Sequence, residues 1–311
     1  MELIIARQVA VMFLLIGTGF VCTKAGVLTE AAAKVFVNFV LMVVTPSIIL
    51  KQFLRPADRE LLILTGLALL LVVIYHVLAL GLSHVLIPRR EGTHYSSERI
   101  AAGYSNSAFM GFPLLEAALG ADGLLFGVMY VAVFNICSWT HCLEELGGKG
   151  AFDPKKLVRN PTILSILLGG VIFLFHLPFP SLLETAVGHL AALNTPLSMV
   201  ISGVFLAGLR PRELFEDLRL FWAVALRNLL LPLLFVVLLW AMGVSRWLPG
   251  AQGPVMAAVI SAACPTAVIV ILMSSRTGRC DPRYGAVLVA VSTLCSIVTL
   301  PLVIAAANAL L

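Results

Sequence analysis

Charge is what this chain has least of. Only 12% of its 311 residues are Asp, Glu, Lys or Arg, against ~25% in a soluble domain, too few to cover a water-exposed surface. Hydrophobic residues make up 60% and the mean hydropathy is +1.03, so the chain reads as a polytopic membrane protein. A nucleic-acid binder is excluded despite a pI near 9.0, because the excess of 21 Lys and Arg over 16 Asp and Glu is what cytoplasmic loops carry. Cys22, Cys137, Cys142, Cys264, Cys280 and Cys295 show neither CxxC spacing nor the density of a disulfide scaffold. Four of them lie in apolar stretches, where a thiol acts as a small apolar residue. Enzyme motifs are missing too: His141 and Glu144 lack a second ligand at HExxH spacing, and no GxSxG, Walker motif or GxGxxG precedes a helix. The chain does not read as an enzyme, and no cofactor is implied. No acidic pair sits in mid-membrane, so a proton or sodium site is not evident and the coupling ion stays open. A cleaved leader is disfavoured, since Glu2 weakens the basic n-region and no A-x-A site follows Gly19.

What is present is apolar length. A spanning helix needs about 20 apolar residues, and the polar breaks divide the sequence into ten candidates. These are roughly 3–22, 35–53, 61–87, 98–118, 123–143, 157–177, 185–208, 217–243, 253–275 and 284–308. The expected fold class is an all-α polytopic membrane protein. With the N-terminus outside, 15 of the 21 basic residues fall in inside loops, five fall outside and Arg227 lies within a span. That asymmetry predicts both termini on the extracytoplasmic side.

The halves echo each other in order. Thr45-Pro46 matches Thr195-Pro196, and Leu54-Arg55-Pro56 with Arg59-Glu60-Leu61 matches Leu209-Arg210-Pro211 with Arg212-Glu213-Leu214. Gly127, Val131-Ala132-Val133 and Cys137-Ser138 match Gly285, Val289-Ala290-Val291 and Cys295-Ser296. Residues 1–146 then form one five-helix repeat, 147–156 a cytoplasmic linker, and 157–311 a second repeat. An odd number of spans per repeat inverts the second copy, an architecture of secondary transporters with the substrate site near the midplane.

Two spans carry proline: Asn106-Ser107-Ala108-Phe109-Met110-Gly111-Phe112-Pro113 in the fourth and Cys264-Pro265-Thr266 in the ninth. Proline removes a helical hydrogen bond, and irregular backbone at membrane depth is tolerated where it is buried in protein or lines a wet cavity. Two half-helix N-termini facing one centre suit an anion; the plain alternative is a packing kink. Asn106 is the leading polar candidate, although an amide at this depth can simply tie helices together for about 0.6 kcal/mol. Asn135 and Asn194 are further candidates, and Thr45 and Thr195 can also back-bond to their own helices. Arg227 either pairs with a substrate carboxylate or snorkels to the interface. Glu116, His76 and His141 read as interfacial or packing residues.

These segments resemble the auxin efflux carrier family in its compact bacterial form. The resemblance rests on the Gly26-Val27-Leu28-Thr29-Glu30-Ala31 turn, Thr45-Pro46, Asn106 through Gly111-Phe112-Pro113-Leu114, Cys264-Pro265-Thr266-Ala267, and Ser292-Thr293 through Leu300-Pro301-Leu302. It covers essentially the whole chain. It implies two inverted five-helix repeats, helices 4 and 9 broken at prolines and crossing at the substrate site, elevator-type alternating access, a fold like that of bile-acid/sodium symporters, and a homodimer in membrane lipid. It also implies an organic anion as substrate, auxin in plants and dicarboxylates in bacterial relatives. Cys264 before the proline and Ala258 at a symmetry-related position depart from the pattern, and a small carboxylate is the expectation carried forward. The expected substrate-binding set is Asn106, Gly111, Pro113, Cys264, Pro265, Thr266, Asn135, Thr45, Asn194 and Arg227. The competing expectations are a sodium-coupled symporter and a membrane sensor that binds the anion without moving it. A channel is disfavoured, because no ring of like charges appears.

Overall fold

The computed structural model describes the chain except residues 149, 151–153, 211, 214–216 and 279 and the side chains of Glu2 and Lys156. The loop charges Lys149, Asp153 and Arg279 and the repeat positions Pro211 and Leu214 lie outside the described residues, as does part of the 147–156 linker. Among the described residues the protein is all helix, without strands; one isolated antiparallel bridge joins Ser105 to Thr266. The helices are α1 (Glu2–Lys24), α2 (Glu30–Phe39), α3 (Thr45–Phe53), α4 (Arg59–Leu86), α5 (Tyr95–Gly103), α6 (Phe112–Cys137), α7 (Leu143–Gly147), α8 (Pro154–Val158), α9 (Pro161–Phe175), α10 (Ser181–Ala192), α11 (Asn194–Gly208), α12 (Leu218–Ala225), α13 (Leu231–Met242), α14 (Gln252–Ala263), α15 (Ile269–Thr277) and α16 (Pro282–Leu310).

Joined through their wide turns, these give seven helices long and apolar enough to cross a membrane: Leu3–Lys24, Glu30–Phe53, Arg59–Leu86, Ser107–Gly147, Ser181–Gly208, Leu218–Met242 and Pro282–Leu310. Pro161–Phe175 and Gln252–Ala263 are apolar but shorter. Side-chain caps start several of them: the oxygens of Thr29, Asp58, Asn160, Asp217 and Asp281 accept from first-turn N–H groups.

Proline acts less by breaking than by widening. Wide turns at Val40–Val44, Ser107–Gly111 and Leu226–Leu230 each lead into a helix with proline at its second position, namely Pro46, Pro113 and Pro232. The missing N–H and the ring are accommodated by one looser turn, and the helix continues. Pro113 therefore lies within helix, and the backbone leaves helical geometry earlier, at Tyr104–Asn106. A sharper reversal follows at Gly120, where φ 66 and ψ −152 separate two helices. Beyond it the chain folds back: a Cβ on Gly127 would meet Leu115 and Phe112.

The helices pack as two groups. One contains α1, α2–α3, α9 and α10–α11; the other contains α4–α7 and α12–α16. In the first, α1 and α11 cross with backbones touching. A Cβ on Gly19 would lie 2.1 Å from the Val200 carbonyl, and one on Gly203 would lie 2.0 Å from that of Ile16. At one end of the molecule, clefts bring together Glu30, Lys34, Arg89, Arg99, Asp217 and Arg283. The opposite end carries the Arg55–Asp122 ion pair and the contact of His176 Nε2 with the Ala57 carbonyl at 2.8 Å.

Candidate functional site

Two helices stop inside the protein and pass each other. α5 ends at Gly103 and α14 at Ala263, and each is followed by a few extended residues before helix resumes. The extended pieces pair antiparallel. Asn106 N–H donates to the Pro265 carbonyl at 2.7 Å, and Ala267 N–H donates to the Tyr104 carbonyl at 3.0 Å. Hydroxyls lock the crossing from both sides. Ser105 Oγ donates to the Ser261 carbonyl at 2.7 Å and lies 2.9 Å from the Tyr130 hydroxyl. Thr266 Oγ1 donates to the Ala101 carbonyl at 3.1 Å. The Thr266 N–H donates to Ser292 Oγ at 2.8 Å, and that hydroxyl donates on to Asn228 Oδ1 at 2.6 Å. Carbonyls and amides that proline and the helix ends would leave orphaned are thereby paired in a place without water.

Arg227 completes the side on which the helices end. Its side chain is fully buried and sits in the wide turn before Pro232. Nη1 donates to the Ala102 carbonyl at 3.1 Å, and Nη2 donates to the Ala262 carbonyl and, at 2.5 Å, to the Tyr75 hydroxyl. The guanidinium also stands 5.7 Å from the centre of the Tyr75 ring, a cation–π distance. Arg227 is thus held inside the protein rather than at its surface.

The side on which the helices resume is different. The N–H groups of Ser107, Ala108 and Phe109, and of Val268 and Ile269, have no hydrogen-bond partner among the described residues. Asn106 stands beside them and is 5% exposed. Ser107 Oγ is buried without a partner. Opposite stands α11, where Asn194 Nδ2 donates to the Ala108 carbonyl at 3.0 Å while its Oδ1 and the Ser198 hydroxyl are left unpaired. Unpaired donors, one unpaired amide oxygen and low water access make a pocket-forming environment for a polar, electron-rich group. A cleft of about 340 Å³ between α2, α11, α15 and α16, with Lys34 and Arg283 at its rim, opens at the basic end. A second cavity of about 20 Å³ beneath it, reaching Val268 and Thr293, shares Phe205 and Ala286 with that cleft.

Of the residues singled out from sequence, Asn106, Gly111, Cys264, Pro265, Thr266 and Asn194 come together. A Cβ on Gly111 would meet Ser107 Oγ at 2.8 Å and Cys264 Sγ at 3.4 Å, so glycine is what lets these segments approach. Pro113 sits one short step along the resumed helix. Asn135 does not join them: its Nδ2 donates to the Val131 carbonyl of its own helix at 2.8 Å. Thr45 is buried with an unpaired hydroxyl at the start of α3, within the first packing group. Sequence reasoning passed over Ser105, Ser107, Tyr75, Tyr130, Asn228 and Ser292. The available signal was position alone, two serines flanking Asn106 and two tyrosines in the middle of apolar runs. His76 packs as expected, its ring 4.7 Å from that of Tyr130.

An all-helical protein with several membrane-length apolar helices, two of whose helices stop inside it and meet, is an arrangement that membrane transporters use. A family model described as "Membrane transport protein" matches residues 4–153 and 150–304. The chain belongs to this family, that of the auxin efflux carriers, and is a transporter rather than an enzyme. It is also 27% identical over 301 residues, 94% of each chain, to a protein of Methanothermobacter thermautotrophicus named "Uncharacterized transporter".

Proposed function

We propose that this protein is a secondary carrier for a small organic anion, a mono- or dicarboxylate, moved across the cell membrane by elevator-type alternating access. The observation that carries the reading is the set of N–H groups at Ser107–Phe109 and Val268–Ile269 without a partner among the described residues, beside the buried Asn106. Each helix N-terminus contributes roughly half a positive charge, so the pair together suits one carboxylate. Asn106 then hydrogen-bonds the anion, Ser107 and Asn194 border it, and the backbone around Gly111, Pro265 and Thr266 shapes the floor.

The reading takes the chain as ten membrane passages in two inverted five-helix repeats. It counts the α5–α6 and α14–α15 interruptions as parts of spans, and the Gly120 reversal as the turn between two spans. Its supports are the fold-back after Gly120 and the matched use of Ala101 and Ala102 on one side and Ser261 and Ala262 on the other. The two packing groups supply a fixed and a moving body, with the cleft along α11 as the path. The positive-inside rule puts the basic end in the cytoplasm and both termini outside, and the family resemblance adds a homodimer.

The test is uptake by proteoliposomes of labelled mono- and dicarboxylates under imposed proton, sodium or no gradient. Saturable uptake of one of them, lost in Asn106→Ala protein of unchanged melting temperature, is the expected result. Binding without flux would replace the carrier by a sensor.

A further inference from the structure

Arg227 has no carboxylate within hydrogen-bonding distance among the described residues, yet its guanidinium is wholly buried in the middle of an apolar protein. An unpaired buried charge is costly enough that something must balance it. The balance comes from the backbone. Its two carbonyl acceptors, Ala102 and Ala262, belong to the last turns of α5 and α14, helices of 9 and 12 residues that both end at the crossing. A helix C-terminus carries roughly half a negative charge, so two of them meeting amount to about one, the charge that a single guanidinium cancels. The planar fork also suits the geometry: two donors on separate nitrogens reach two separate helices, which a lysine ammonium cannot match. Tyr75 holds the third contact and covers the cation with its ring.

We infer that Arg227 is a resident counter-ion of the crossing: a covalently attached cation that neutralises the two helix C-termini and keeps them in register. The inference deepens the carrier reading and rests on it for its transport arm. Arg227 is a positioning residue, because it stands behind the crossing and acts on the substrate side through the two segments it joins. The consequence is a protein whose folded state needs no sodium at this position.

The experiment uses the full-length protein in detergent and in proteoliposomes, comparing wild type with Arg227→Lys, Arg227→Met and Arg227→Ala. Lysine keeps the charge without the fork, methionine keeps much of the volume without the charge, and alanine leaves room for a small cation. Wild type should melt at the same temperature in sodium and in choline at equal ionic strength. Uptake should fall about tenfold or more in Arg227→Met, the loss of charged hydrogen bonds, and less in Arg227→Lys. In Arg227→Ala, millimolar guanidinium chloride should raise both the melting temperature and the uptake, and tetramethylammonium chloride should raise neither. Methionine performing as well as lysine would overturn the inference, as would guanidinium without effect on folded Arg227→Ala, or a wild type that melts lower in choline than in sodium. If no carboxylate is taken up but the melting temperatures follow this order, the carrier reading falls and the counter-ion stands.

Discussion

The two packing groups hold helices together by opposite means. Where α1 crosses α11, contact is apolar and made by backbone: Gly19 and Gly203 let the chains approach until a single methyl would collide with a carbonyl. Where α5 crosses α14, contact is polar and made by partners: two extended segments, three hydroxyls, an asparagine and a guanidinium share out the carbonyls and N–H groups that interrupted helices expose. Most of the buried polar side chains lie in the second group. In a bilayer, apolar burial does not by itself favour one helix partner over lipid, so close packing and polar pairing are the two means left. One group uses the rigid means, which suits a support. The other uses polar pairing, which is incomplete where it faces α11.

Substitutions can break that contrast at four strengths. Gly203→Ala should act most strongly on stability. A Cβ there overlaps the Ile16 carbonyl and the Phe20 amide, so a loss of about 3 kcal/mol is expected from overpacking against backbone, read as a lowered melting temperature. Gly17→Ala, with nothing within 4 Å of the added carbon, is the matched control and should shift nothing. Asn106→Ala should do the reverse. Its carboxamide is not among the side chains that lock the crossing, so stability stays within about 0.5 kcal/mol, while anion uptake falls about tenfold with the lost hydrogen bond. A large fall in melting temperature there would mean that the amide is structural after all.

Thr266→Val removes the hydroxyl that caps the Ala101 carbonyl. Polar pairs between helices in membranes average about 0.6 kcal/mol, so the expected destabilisation is of that order, with a smaller effect on uptake than Asn106→Ala. Asn135→Ala should do least, because that amide only back-bonds to Val131. Unchanged melting and unchanged uptake are the expected outcome, and a selective loss of uptake would move the site toward α6.

The spans were legible because hydropathy needs no tertiary knowledge: six of the runs read from sequence match helices of membrane-spanning length and composition among the described residues, and a seventh such stretch, Ser107–Gly147, takes in two more runs. The interruption in α5–α6 was legible only in part. Proline at Pro113 signalled irregularity, but a proline at the second position of a helix is easily housed, and the chain opens earlier, at Tyr104–Asn106. Cys264-Pro265-Thr266 was placed more closely, since there the proline itself lies in the extended piece. Arg227 was legible as an anomaly and illegible as a role. Its carbonyl acceptors are backbone groups of two distant helices, and backbone leaves no mark in composition or spacing. Ser105 and Ser292 were missed for the same reason, since what distinguishes them is the carbonyl or amide they meet.

Arg227 also sets a condition on the birth of the protein. A central arginine raises the cost of inserting its helix by roughly 2.5–3.5 kcal/mol, and at the moment α12 and α13 enter the bilayer only part of its coordination exists. Tyr75 and the Ala102 carbonyl precede it in the chain, whereas Ala262 lies 35 residues further on. The ribosome therefore delivers the charge after two of its partners and before the third. The first half of the chain receives the guanidinium, and the arrival of α14 completes its cage.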